Sequence, residues 1–327
     1  MKITAIVFVF ALFAYGTSVE TDQAWVKALN TGANAKLVLQ VTDSDGIAVE
    51  GADVKCWLWR DYHNGGPLGL DLTTDKSGIC IVHGKCTGTI VWTVMKYGYY
   101  NSSGEWKLSD TKSVPKVLDG KWQPFGTTHT IILKRIKRPG RLSVYSRKSR
   151  EKRIPVFGSW VGFDLEMCDW VKPYGAGKAN DVCLRFYSET IKKFAEYRYV
   201  MEVSFTNNPY AGAYHLQTDA FSDLKTAYEA NTNMAFIQRF AYRQEKKEGV
   251  SIKRDYLSDD SFLVYRTRTS IDKEGRLKSG HYGMIRGPWV GDEKVMILDD
   301  GCFNPVPNDL SIEDGRQLRM VLKGYNK

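Results

Sequence analysis

Residues 35–58 read AKLVLQVTDSDGIAVEGADVKCWL, and the fold is decided here. Leu37, Leu39 and Val41 recur with a period of two, as one face of a half-buried strand must. Asp43-Ser44-Asp45-Gly46 stops that strand, because Asp bonds its own backbone in turns and Gly46 can take positive φ. Val54, Cys56 and Leu58 resume the period, interleaved with Lys55, Trp57 and Trp59. Further out, 63–69 is a Gly/Pro loop and 74–78 a turn, while 79–82, 89–95 and 130–136 read as strands. Short strands separated by turns at this spacing predict an antiparallel sandwich. Side chains alternate across a strand, so if Val54, Cys56 and Leu58 face the core, Trp57 and Trp59 face away from it together.

The turn chemistry carries a resemblance. Gly46, Val49, Gly51-Ala52 and Val54, then Thr74-Asp75 with Gly78, Gly88 and Tyr97-Gly98-Tyr99, follow in the order of a carboxypeptidase regulatory-like, or transthyretin-like, domain. The likeness covers 36–136. It implies a seven-stranded Ig-like sandwich and a non-catalytic accessory role, not peptidase activity. The stretches around Trp57 to Gly69 and 101–125 depart from the pattern, which affects the loop ends rather than the core.

The chain therefore divides into a signal peptide (1–18), an N-terminal extension (19–35), the Ig-like domain (36–136), a basic connector (137–155) and a larger, mostly antiparallel β domain (156–327). The fold class is all-β. The second domain shows strand patterns at 161–165, 182–187, 199–205, 235–242, 262–270, 279–286 and 294–298. Asp272-Lys273-Glu274-Gly275 reads as a hairpin turn, and 219–231 is the best helical stretch. The string Val161-Gly162-Phe163-Asp164-Leu165, with Asp169-Trp170-Val171 and Tyr174-Gly175-Ala176-Gly177-Lys178, resembles a group of uncharacterised exported bacterial proteins of the same two-part layout. That resemblance implies no activity.

Charge is concentrated. Residues 134–153 hold ten Lys or Arg against the single acid Glu151, an excess of nine. The other 36 bases and 36 acids cancel, so one segment carries the whole net charge of +9. This excludes a broadly basic nucleic-acid protein and marks a local patch. Arg147, Lys148, Arg150, Lys152 and Arg153 are its candidate anion-binding residues, on a segment expected to be exposed and at least partly mobile.

Lys2, the apolar run 3–14 broken only by Thr4, and Ala14-Tyr15-Gly16 have the pattern of a cleaved secretory signal. A retained anchor or a buried first strand is the competing reading, but the run is too short to span ~30 Å at ~1.5 Å per residue. The expected location is secreted, periplasmic or cell-surface. Six cysteines in such a chain point to disulfides. A hairpin centred between Gly175 and Ala176 would set Cys168 opposite Cys183, so these two are predicted to pair. No C-x-x-C and no closely spaced His pair is present, and no cofactor or dedicated metal site is expected.

Several motifs reduce to bland readings. Gly175-Ala176-Gly177-Lys178 is followed by Ala179, not the Ser or Thr of a phosphate loop. Asp43, Asp45, Asp299 and Asp300 could ligate calcium, but such Asp-Gly turns are far more often only turns. Cys302 with His281 could form a nucleophile and base. Asp164, Glu166 and Asp169 could supply paired carboxylates for glycoside cleavage. Trp57, Trp59, Tyr62 and Trp106 lie in or beside loops of the first domain, and flat aromatics stack on sugar rings. The expected function is non-catalytic binding of an acidic or neutral glycan or another polymer of the envelope, with a secreted glycan hydrolase or a structural subunit of a surface assembly as alternatives.

Overall fold

The period-two stretches form strands where hydrophobic alternation requires them. The structure is a computed structural model and describes residues 23–60, 65–113, 115–137, 142–144, 151–192, 195–205, 209–217, 219, 221–255, 261–286, 295–297 and 299–313. The expected signal peptide, Tyr62, Arg147, Lys148 and Arg150 lie outside the described residues. The chain is nearly all β and divides into two compact units. The first comprises 1–136 with 221–223, the second 137–220 with 224–327. No helix among the described residues is long and apolar enough to cross a membrane.

In the first unit β1 (Ala33–Asp43) buries Leu37, Leu39 and Val41 completely, and β2 (Asp53–Leu58) does the same with Val54, Cys56 and Leu58. β3 (Leu68–Thr73), β2, β5 (Thr89–Met95) and β6 (Ser102–Lys107) form one antiparallel sheet in the order β3-β2-β5-β6. The facing sheet pairs β4 (Ile79–Cys86) antiparallel to β1 and β9 (Thr127–Leu133) parallel to it, with Leu37 opposite Thr127 and Asp43 opposite Leu133. The short β7 (Val117–Leu118) and β8 (Lys121–Trp122) extend that sheet. The core between the sheets includes Leu37, Leu39, Leu58, Ile90, Trp92 and Trp122.

Local chemistry fixes the turns. Asp43 Oδ1 accepts the N–H groups of Asp45 and Ile47, each at 3.0 Å, and Gly46 adopts φ +79°. The Arg135 guanidinium donates to Asp43 Oδ2 at 2.8 Å. Asp43 therefore serves as a turn acceptor within the sandwich. The Arg135 bond is the largest of the causes that hold its carboxyl below the usual range.

The domain starts earlier than its strand pattern suggests. Residues 23–31 form a helix, Ala28 is buried in the core, and Ala24, Trp25 and Leu29 pack against it. Trp25, Ala28 and Leu29 share one face by i, i+3, i+4 spacing. Gly32 closes the helix at φ +79°, its N–H bonded to Ala28 O at 2.9 Å. The polar stretch 102–107 is also a strand. A Cβ on Gly104 would lie 2.7 Å from the Trp92 ring, so only glycine fits there.

In the second unit the connector is drawn into sheets. β10 (Ser143–Val144) pairs with β22 (Asp299–Phe303), and β11 (Glu151–Arg153) pairs with β21 (Val295–Ile297). Lys152 is half-buried, with Nζ 3.2 Å from Asp169 Oδ1, and Arg153 is exposed. Of its described residues, 143–144 and 151–153 are strands, and Asp169 offsets Lys152. β12 (Val161–Asp164), β13 (Asp169–Trp170), β14 (Val182–Lys192), β15 (Glu196–Ser204), β17 (Arg239–Lys247) and β18 (Val250–Asp255) form a six-stranded sheet, ordered β13-β12-β14-β15-β17-β18. β16 (Gly212–Gln217), β19 (Ser261–Ile271) and β20 (Leu277–Arg286) join β22 and β10 in a five-stranded sheet. Phe163, Leu184, Met201, Tyr265, Ile285 and Phe303 belong to the core they share. The turn at 272–275 joins β19 to β20, with Gly275 at φ +78°.

The described residues of 219–231 are not a helix. The Ala230 N–H bonds Leu310 O at 2.8 Å, Glu229 bridges to Ser311, and Leu224, Thr226 and Ala230 are buried. Pairing to distant chain overrides the weak local helix preference.

Candidate functional site

Trp57 and Trp59 lie on the outer side of the sheet β3-β2-β5-β6, 39% and 49% exposed. Register places Trp57 between Gly69 on β3 and Val91 on β5. A Cβ added at Gly69 would sit 3.9 Å from both Cδ1 and Nε1 of the indole, so the ring leans over a backbone with no side chain. Around it are Lys55 and Asp71 in one row, and Glu105, which pairs with Lys107 at 3.0 Å. Thr93 and Ser103, in the same row as Lys55 and Asp71, hydrogen-bond at 2.9 Å. The result is a flat apolar platform rimmed by donors and acceptors.

Trp106 does not join it. Its partner on β5 is Ile90, a core residue, so Trp106 points to the opposite face. There it packs on the core, with its ring 4.9 Å from that of His129. Burial pushes the His129 imidazole below its ordinary value, toward the neutral form.

The expected Cys168–Cys183 disulfide is absent, and none of the six cysteines is in a disulfide. The tight turn falls at 165–168, not at 175–176, so Phe163 pairs with Trp170 and Asp164 with Asp169. β14 then runs beside β12 and sets Cys183 opposite Gly162. Cys56, Cys80 and Cys86 are core residues, and burial pushes the Cys56 thiol up to about 12.

The acidic residues 164–169 are committed internally. Asp164 Oδ1 accepts the N–H groups of Glu166 and Met167, and Oδ2 accepts those of Lys178 and Ala179, at 2.8–3.0 Å. Asp169 Oδ2 accepts the Ala176 N–H at 3.0 Å. The glycine loop 175–179 thus forms an N–H nest already filled by the protein's own carboxylates. Burial raises the Asp164 pKa, but the backbone bonds and Arg268 outweigh it and hold the carboxyl below its usual range. His281 and Cys302 stand on opposite faces of their sheet. The His281 ring stacks on Phe303 at 5.4 Å, whereas Cys302 packs with Tyr282 and Met284. Among the described residues no group of three His, Cys, Asp or Glu is placed to hold a metal ion.

A concave feature in the second unit escaped the sequence reading. On the outer face of β14, β15 and β17 lies a groove of about 470 Å³, lined by Tyr187, Glu189, Arg198, Val200, Glu202 and Arg243 with Ser188. Its signal is present in 183–189, where Arg185, Tyr187 and Glu189 alternate with the buried Leu184 and Phe186. Which residues meet them across the sheet depends on register, which a single strand does not encode.

No family model matches the chain, and no curated protein matches it. Among solved structures it is similar to 3-chlorocatechol 1,2-dioxygenase from Rhodococcus opacus, at 11% identity and a TM-score of 0.27, over 33% of this chain and 62% of that one. The chain therefore spans about three-fifths of that enzyme. A streptococcal ancillary pilin matches at 14% identity and a TM-score of 0.23, over 82% of this chain and 62% of the pilin. A DUF3823 family protein from Parabacteroides merdae matches at 10% identity and a TM-score of 0.20, over 72% and 90%. At these scores none bears on activity or ligand.

Proposed function

We propose that the protein is an exported, non-catalytic glycan-binding protein of the cell envelope or extracellular space, its first unit serving as a carboxypeptidase regulatory-like accessory module. The observation that supports this reading is the pair of exposed indoles, Trp57 and Trp59, on a flat sheet face. Each indole offers an apolar face to a sugar ring, and Lys55, Asp71 and Glu105 lie within the surrounding rows to meet hydroxyls. The hydrolase alternative needs two carboxyls directed at one bond. Asp164 and Asp169 instead accept internal N–H and Lys152 bonds, which favours binding over cleavage.

Affinity electrophoresis of the full chain through gels containing soluble β-glucan, xylan or chitin oligomers tests this. The parent is expected to be retarded by at least one neutral polymer. The variant Trp57→Ala/Trp59→Ala should lose about 30-fold in affinity, since each stacked ring contributes on the order of 1 kcal/mol. Equal retardation of parent and variant, or no retardation of the parent, rejects the reading.

A further inference from the structure

The groove in the second unit has a chemistry different from the tryptophan platform and is independent of it. Its floor is Val200, half-buried on β15, with Tyr187 opposite on β14 and Arg243 opposite on β17. The next row sets Glu189 opposite Arg198. The row on the other side holds Arg185 and Glu202, joined through Nε and Oε2 at 2.6 Å.

These charges fall into two groups. Arg185 and Glu202 satisfy each other, and the Arg185 guanidinium is stacked between two rings, 4.6 Å from the Trp160 centroid and 5.3 Å from that of Tyr187. That stack fixes Tyr187, which stays 41% exposed as a wall of the groove. Glu189, Arg198 and Arg243 form the second group. They are exposed, and among the described residues no ion pair engages any of them. Two guanidinium groups thus flank an apolar floor, with Glu189 opposite Arg198 on β14 and Glu245 opposite it on β17. Diagonal neighbours on a sheet lie ~7–8 Å apart at the backbone, within reach of long side chains. A single carboxylate can therefore accept from both Arg198 and Arg243, the geometry guanidinium groups suit best. A dianion such as phosphate would meet Glu189 with greater like-charge repulsion than a monoanion does. A monoanion with neutral hydroxyls and one flat apolar face matches every lining group, and the volume lies within the ~300–1,000 Å³ of small-ligand sites.

We infer that this groove binds a uronic-acid-containing oligosaccharide, with its carboxylate between Arg198 and Arg243, a hydroxyl on Glu189 and the sugar ring against Tyr187. The test is calorimetric titration of the full chain with trigalacturonate and with the same trisaccharide reduced to its neutral sugar. The trisaccharide acid is expected to bind, and to bind more weakly as salt rises toward ~0.5 M. The reduced form should bind at least 10-fold more weakly. Arg198→Gln/Arg243→Gln should lose 10-fold or more for the acid and little for the reduced form, and Tyr187→Ala should weaken both. Trp57→Ala/Trp59→Ala should leave trigalacturonate binding unchanged, which separates this site from the neutral-glycan platform. If the arginine variant unfolds, the acid-against-reduced comparison on the parent decides alone. Equal affinity for the two trisaccharides, full affinity in a folded arginine variant, or no binding of the acid overturns the inference.

Discussion

Arg268→Ala is expected to lower the unfolding free energy of the second unit by about 3–5 kcal/mol, the cost of leaving buried charges without their partner. Arg268 Nε donates to Asp181 Oδ1 at 2.9 Å, and Nη2 donates to Asp164 Oδ1 and Asp181 Oδ2, both at 3.1 Å. Nη1 donates to Glu166, and the guanidinium lies 4.5 Å from the Phe303 ring centroid. Asp164 and Asp181 are only 1% and 2% exposed, so water cannot take over when the guanidinium is removed. Arg268 itself sits at φ +47°, where the β19–β20 register shifts between Thr267 and Ser270. A left-handed non-glycine residue is strained, and the four hydrogen bonds hold it there.

The variant's deficit should depend on pH, with a definite sign. Burial is the largest influence on Asp181 and pushes its carboxyl above the usual range despite the Arg268 bonds. Without Arg268 both buried carboxylates become uncompensated at neutral pH, and protonation relieves them. The gap between parent and Arg268→Ala should narrow as pH falls through the carboxylate range. Urea unfolding followed by circular dichroism at several pH values measures it. A gap below about 1 kcal/mol at neutral pH, or one that widens on acidification, contradicts the role assigned to this network.

The second large effect belongs to Trp122. Trp122→Ala should destabilise the first unit by about 3–5 kcal/mol, as expected for a large aromatic removed from a packed core. The side chain is fully buried, its Nε1 donates to Cys86 O at 2.9 Å, and its ring lies over Gly88, where a Cβ would sit 3.2 Å from Cη2. The truncation thus opens a cavity and leaves a buried carbonyl without its donor. Trp57→Ala/Trp59→Ala, by contrast, should shift stability by less than about 1 kcal/mol, since both rings face solvent. Chemical unfolding monitored by fluorescence separates the two cases. A loss of core size for the Trp57/Trp59 pair would mean that these rings are packed.

The sandwich was legible because a half-buried strand writes its own period. Leu37-Leu39-Val41 and Val54-Cys56-Leu58 show which side is core, and they turn Trp57 and Trp59 outward without any tertiary information. The Asp272–Gly275 hairpin was legible for the same local reason. What was not legible is what register decides. Cys168 and Cys183 flank a loop symmetrically, yet the chain turns at 165–168 and the symmetry means nothing. Trp106 and Trp57 are both strand tryptophans, and only the pairing of Trp106 with Ile90 assigns them to opposite faces. Residues 219–231 carry a helical composition, but their backbone groups are claimed by distant chain at 310–312. Lys152 reads as one member of a charge run, and its partner Asp169 becomes visible only when β11 and β13 are placed. The groove is the same lesson in a functional setting, since Tyr187, Val200 and Arg243 come from three strands.

The most direct measurement of the glycan-binding claim is a titration of the full chain with the neutral oligosaccharide that retards it, followed through the indole N–H resonances in a 1H–15N spectrum. Trp57 and Trp59, identified by single Trp→Phe variants, are expected to shift progressively and to saturate together, while Trp92 and Trp122, both buried in the core, stay in place. Saturable binding that leaves the Trp57 and Trp59 resonances unmoved would contradict the account.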